Sequence, residues 1–316
     1  IAPWDTTPVP PATPTPAPTQ DHTPEPTPDP TPEPTGEPEP TEPPIVALTT
    51  AGELIILDPA TGATVETVAS DPAWQESFSI STDGDVAYLS RRSDSWYEIV
   101  RVVLADGAST VVTDGWFPAI SPDGSTLVFA GRDPDVDISG QGLTFLDLVD
   151  GTVRHVPPSA GPTNPDVPLG VDNPTWSLDG LRVYVGHGYP EGKDLLAVDA
   201  TTATLDTATR LGPPQDSEAG SVQSWELPAA LADGRLAVFA REAGYDPDPS
   251  SMHIAVLDPL TGATVERIDV GERWVSDIAA RPGAPGLAVV LDRTTLALWD
   301  GVSLRDVRSD IIAAAW

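Results

Sequence analysis

The chain contains no cysteine. That absence removes disulfides, thiolate metal sites and cysteine nucleophiles together, and leaves the redox compartment open. Cations are scarce: Lys193 is the single lysine, and 16 Lys and Arg face 48 Asp and Glu, a formal charge of −32. Such a surface cannot neutralise phosphate, which excludes nucleic acid and anionic lipid as partners of a basic face. No run of 18 apolar residues occurs, so no segment of this chain is expected to insert into a membrane. The sequence does not open on Met and lacks a charged leader followed by an apolar stretch, so any export signal is expected to have been removed. There is no G-x-S-x-G elbow, H-E-x-x-H pair or phosphate-binding glycine loop.

What is present begins with proline. Of 37 prolines, 17 fall in residues 1–44, together with eight acids and no Lys or Arg. A Pro/Thr/Glu-rich segment of this kind cannot bury enough apolar area to offset its entropy, and a disordered, polyproline-II-like stalk is expected. At roughly 3.1 Å per residue it would reach on the order of 100 Å. Its role is either to space a globular head, residues 45–316, from an anchor outside this chain, or none at all. Glycosylation of its threonines is left open.

The head repeats. The stretch "WFPAISPDGSTLVFAG" (116–131) is two apolar runs joined by Ser121-Pro122-Asp123-Gly124. Variants recur at 78–90, 174–186 and 228–240, and a degenerate copy with a longer turn lies at 277–291. From Asp83 through Asp123 and Asp179 to Asp233 the steps are 40, 56 and 54 residues, an interval typical of propellers and arrays. In the turn, Pro122 presets φ, Asp123 tolerates the second position and Gly124 takes positive φ. A second hairpin follows each first one, at 54–68, 102–112, 144–156, 195–208, 254–268 and 296–307; "LIILDPATGATVETV" and "IAVLDPLTGATVERI" are nearly the same. One strand is left over at each end, "PIVALTT" (44–50) and "DIIAAAW" (310–316). The fold expected is all-β: a six-bladed β-propeller of four-stranded antiparallel blades, closed by pairing the C-terminal strand with the three N-terminal strands.

"PAISPDGSTLVFAG" and "PTWSLDGLRVYVG" resemble the WD40-like (PD40) repeat of TolB-type six-bladed propellers, a bacterial exported family. The resemblance covers residues 45–316. It implies the fold and an exported, extracellular or cell-envelope location; it carries little chemistry, because the turn is structural. A stalk-mounted head of this kind would be the outer part of a lipoprotein or of a membrane-anchored sensor.

Long insertions gather on one expected face, in the loops leading into inner strands (157–172, 211–224) and between second and third strands (131–142, 187–194, 241–251). Partners, whether protein, peptide or glycan, are expected there. Trp74, Trp116, Trp225 and Trp274 precede the inner-strand motifs and should stand near the channel mouth, with Tyr189 and Tyr245 in two of the loops. These are candidate ligand-binding aromatics, or, for the tryptophans, wedges between blades. Asp133, Asp135 and Asp137 alternate in a loop, as calcium ligands can, although the run fails the EF-hand pattern and also reads as a solvated acidic loop. No other cofactor is expected. His155, His187 and His253 lie in different repeats and read as structural. The function expected is non-catalytic recognition; the alternative is a propeller hydrolase or lyase working at the channel mouth.

Overall fold

In a computed structural model, the structure describes residues 42–94, 96–132, 141–157, 159–160, 168–189, 192–202, 204–205, 208–212, 222–243 and 252–316. The first strands are β1 (Ile45–Thr49), β2 (Glu53–Leu57) and β3 (Thr64–Ser70). Blade 2 is β4 (Trp74–Ile80), β5 (Val86–Arg92), β6 (Tyr97–Val103) and β7 (Ser109–Asp114). Blade 3 is β8 (Trp116–Ile120), β9 (Thr126–Arg132), β10 (Gln141–Asp147) and β11 (Val153–Val156). Blade 4 starts with a short β12 (Ser159–Ala160), then β13 (Pro168–Trp176), β14 (Arg182–Tyr189), β15 (Gly192–Asp199) and β16 (Thr209–Gly212). Blade 5 is β17 (Val222–Ala230), β18 (Leu236–Ala243), β19 (His253–Leu257) and β20 (Thr264–Asp269). Blade 6 is β21 (Val275–Ala280), β22 (Leu287–Leu291), β23 (Thr295–Trp299) and β24 (Leu304–Ser309). The last strand, β25 (Ile311–Ala315), lies innermost in blade 1, antiparallel to β1, with Ala314 opposite Ala47. The six-bladed ring and its split closing blade are those expected from the sequence. Two things differ among the described residues: β12 extends blade 4 on the channel side, and β14 and β15 continue through most of 187–194, the stretch read as a loop, pairing His187 with Asp194 and Tyr189 with Gly192.

The core is not one mass but six seams, one between each pair of neighbouring blades. The second strand of each blade serves two of them, because successive side chains of a strand point to opposite faces. In β1, Ile45 and Ala47 join the seam with blade 6, while Val46 and Leu48 join the seam with blade 2. In β22, Leu287, Val289 and Leu291 face blade 5, and Ala288 and Val290 face blade 1. This is why those strands read as unbroken apolar runs. The fourth strands face outward and are largely exposed, as in β3 and β7. Among the described residues there is no α-helix, and no helix is long and apolar enough to cross a membrane.

Candidate functional site

The inner strands converge on a central channel, and the turns that end five of them shape one mouth, at the end opposite the loops where the sequence placed partners and the tryptophans. In three turns a serine hydroxyl bonds the aspartate two residues on: Ser81–Asp83 at 2.5 Å, Ser121–Asp123 at 2.6 Å and Ser177–Asp179 at 2.6 Å. The same carboxylates accept backbone N–H groups at Asp85, Ser125 and Leu181. The serine hydroxyl first, then those N–H groups, hold all three aspartates below the usual carboxylate range. Gly84, Gly124, Gly180 and Gly234 sit at φ of 69–84°, where a side chain is unfavourable. The motif's polar atoms are therefore spent on its own backbone. The residue after the serine is the one left to build the rim: Thr82, Pro122, Leu178, and at the equivalent places Ala232 and Pro282, all line the cavity. Thr82 Oγ1 donates to Pro122 O at 2.8 Å, tying two of these tips together.

Deeper in, a second ring comes from the residue four places before each turn: Ser77, Phe117, Asn173, Leu227 and Asp277. Three of them have positive φ, Phe117 at 54°, Asn173 at 45° and Leu227 at 53°, and each precedes a proline. That combination is doubly disfavoured, by the Cβ and by the following ring. Each marks a bulge, where three residues of the inner strand span two of its neighbour: Trp116 to Ala119, Asp172 to Thr175 and Glu226 to Ala229. Such strained backbone concentrates at working surfaces. The cavity enclosed by the two rings measures about 750 Å³, within the range of ligand pockets.

Its charge is acidic. Asp277 is half-buried in the wall, accepting the Ile278 N–H at 3.0 Å and the Ala314 N–H at 2.9 Å. Burial is the main cause that pushes its carboxyl up to about 7; the two N–H groups oppose this, and the charge of Glu76 adds to it. Glu76 is exposed to the channel. The basic residue of the wall, Arg281, is already engaged: it pairs with Glu42 at 3.0 Å and lies over the Trp316 ring at 5.3 Å. Trp316 Nε1 in turn donates to Pro43 O at 3.0 Å.

The aromatic residues singled out in the sequence are dispersed. Trp74 and Trp225 are buried in the seams between blades 1 and 2 and blades 4 and 5. Trp274 packs on the seam between blades 5 and 6, edge-on to Phe239, with Arg241 5.4 Å from its ring. Trp116 stands between Tyr97 and Phe117, each 4.3 Å away and nearly parallel, so both of its faces are covered. Phe117 then carries the stack to the channel wall. Tyr189 ends β14, opposite Gly192. Tyr245 and the calcium candidates Asp133, Asp135 and Asp137 lie outside the described residues, as do most of the long loops. Among the described residues no group of three or more His, Asp or Glu could hold a metal.

Away from this cavity, Lys193 joins blades 4 and 5. Its ammonium bonds Asp172 and lies 3.4 Å from Glu226, whose other oxygen takes Arg241 Nε at 2.7 Å and Ser224 Oγ at 2.8 Å. Burial acts to lower the Lys193 pKa, but the charges of Asp172 and Glu226 outweigh it and hold it up. The histidines sit in the blades: His155 Nδ1 bonds Thr144 Oγ1 at 2.9 Å, His187 is buried, and His253 begins β19.

No protein-family model and no curated protein sequence matches the chain. Solved structures do. TolB from Acinetobacter baumannii aligns with a TM-score of 0.64 at 15% identity, covering 86% of this chain and 65% of that one. A putative TolB from Agrobacterium tumefaciens gives 0.57 at 17%, covering 85% and 92%. A chain of a nidogen/laminin complex gives 0.58 at 10%, covering 86% and 97%. At these identities the likeness speaks for the fold alone: the chain is a six-bladed β-propeller, a fold similar to that of the TolB structures.

Proposed function

We propose that this chain is a recognition head that takes an extended segment of a partner protein into the mouth of its central channel. The observation that carries the reading is the cavity of about 750 Å³, whose rim is assembled from the second residues of successive turns. Four of those five tips, Pro122, Leu178, Ala232 and Pro282, are apolar, and Leu178 is 51% exposed. Apolar groups displayed on a rigid ring around a concavity fit a docking surface better than a solubilising one. The protein partner named for the nidogen/laminin neighbour agrees with this use of the fold. Residues 1–41, rich in Pro and Thr, fit a spacer that holds the head off a bacterial cell envelope.

Panning displayed linear heptapeptides against the full chain tests the reading. Selected peptides should lose binding to Leu178→Asp and keep it on Val302→Asp, an outer position that is 91% exposed. Peptides indifferent to Leu178→Asp would remove the mouth from consideration.

The hydrolase or lyase reading draws on one observation, a carboxyl raised to about 7 beside a second carboxylate in a cavity. Such pairs divide acid and base roles. It requires turnover of a bound ligand that disappears in Asp277→Asn; ligands released unchanged would reject it.

A further inference from the structure

The cavity wall says something about the partner's chemistry beyond its being a peptide. Its charged residues are Glu76, Asp83, Asp277 and Arg281. Asp83 is held by Ser81 and its own turn, and Arg281 by Glu42 and Trp316. Two carboxylates remain with capacity to spare. Glu76 has no hydrogen-bond or ion-pair partner among the described residues. Asp277 spends one acceptor site on each oxygen, to Ile278 N and Ala314 N, and a carboxylate offers about four such sites. These two groups bracket the closing strand, Asp277 on blade 6 and Glu76 on blade 2. Like charges sharing an enclosed space repel, and a cation entering between them relieves that cost. On the other side of the channel, blades 3 to 5 contribute Phe117, Pro118, Asn173, Pro174, Leu227 and Pro228 to the wall, none of them charged.

We infer that the occupant is an extended segment of a partner protein carrying an arginine or lysine, which reaches Glu76 and Asp277 while its apolar neighbours seat on the rim and on Phe117 and Leu227. The inference rests on the recognition reading above. Charge complementarity selects this occupant. It also argues against the chain's own residues 1–41, which hold seven acids and no Lys or Arg. Arginine suits the site best, since its planar fork can serve two carboxylates at once.

The test extends the panning experiment. Heptapeptides selected on the native chain should be enriched in Arg or Lys at one position. Selection on Glu76→Gln should weaken that enrichment, and selection on Glu76→Gln/Asp277→Asn should abolish it, with the apolar positions retained. Glu76→Gln alone makes no change to the hydrogen bonds of the strands, so it keeps the test valid if the double variant folds poorly. Replacing the basic residue of the strongest synthetic peptide by norleucine should weaken binding to the native chain about tenfold, and to the double variant hardly at all. Mouth-dependent peptides without a basic position, or with one indifferent to both variants, would overturn the inference and leave the recognition reading standing. Absence of any binder sensitive to Leu178→Asp would overturn both.

Discussion

At the scale of the residue, Asp277 is the group whose environment most contradicts its chemistry. Its position, four places before the turn, is held in three other blades by Phe117, Asn173 and Leu227. The carboxyl rises to about 7 from an ordinary 3.8, through burial and then through Glu76, the charged group that acts on it. An acid whose pKa is raised on folding binds more protons in the native than in the unfolded state between those values. Stability therefore falls as pH rises through that window, and the loss is complete above about pH 7. Asp277→Asn removes the titration, but its amide NH2, unlike a protonated carboxyl oxygen, cannot accept the second of the two N–H groups. It should melt below the native chain at pH 5 and lose part of that deficit by pH 8, a pH-dependent difference that thermal melts at the two pH values would reveal; parallel shifts at both would exclude the linkage. Aligning the repeats backward from each turn places Asp277 in register with the other three, so its place on the wall was readable. That it would be left among two N–H groups and another carboxylate was not, because Glu76 comes from a different blade.

At the scale of the element, the repeated turns divide into two kinds that look alike in sequence. Gly124 closes an inner-strand turn at φ 73°, and a Cβ added there would meet nothing within 4 Å. Gly262 closes a "DPLTG" turn at φ 71°, but its Cβ would lie 1.9 Å from the backbone oxygen of Leu211 in the preceding blade. Gly62, in the twin sequence "DPATG", meets Val307 in the same manner across the seam of blades 6 and 1. Gly124→Ala should thus cost only the left-handed penalty, about 1 kcal/mol. Gly262→Ala should add a backbone collision and cost about 3 kcal/mol, a difference that urea midpoints can resolve; equal losses would mean that the turn moves away from Leu211 freely. Strands and turns were legible because period-2 faces and Asp-Gly corners are local. The bulges at Phe117, Asn173 and Leu227 were not, since the pairing register depends on the neighbouring strand. Their trace in sequence was the proline that follows each of them. The rim was hidden for a different reason: Ser-x-Asp-Gly explains itself fully as a turn, and the one unconstrained letter in it is the letter that lines the cavity.

At the scale of the whole molecule, stability depends on the ring being closed, and closure rests on one short strand. β25 pairs with β1 and sends side chains both ways: Ile311 and Ala314 into the seam with blade 6, Ala313 into the seam with blade 2. The Ala314 N–H binds Asp277 of blade 6, and Trp316 holds Pro43 and lies under Arg281. Loss of residues 311–316 would strip the channel side of β1, open two seams and leave Asp277 without one of its donors. A bare edge with apolar flanks also invites pairing between molecules. Domains hold only about 5–15 kcal/mol in total, so a defect shared by two of six seams should remove the cooperative transition rather than shift it. The truncated chain is expected to melt broadly, far below the native chain, and to associate on size-exclusion chromatography. Val302→Ser, at a fully solvated outer turn, should by comparison change stability by no more than about 0.5 kcal/mol. A truncated chain with a sharp, near-native transition would show that the seams hold the blades without the clasp, and the closing role assigned to β25 would then fall.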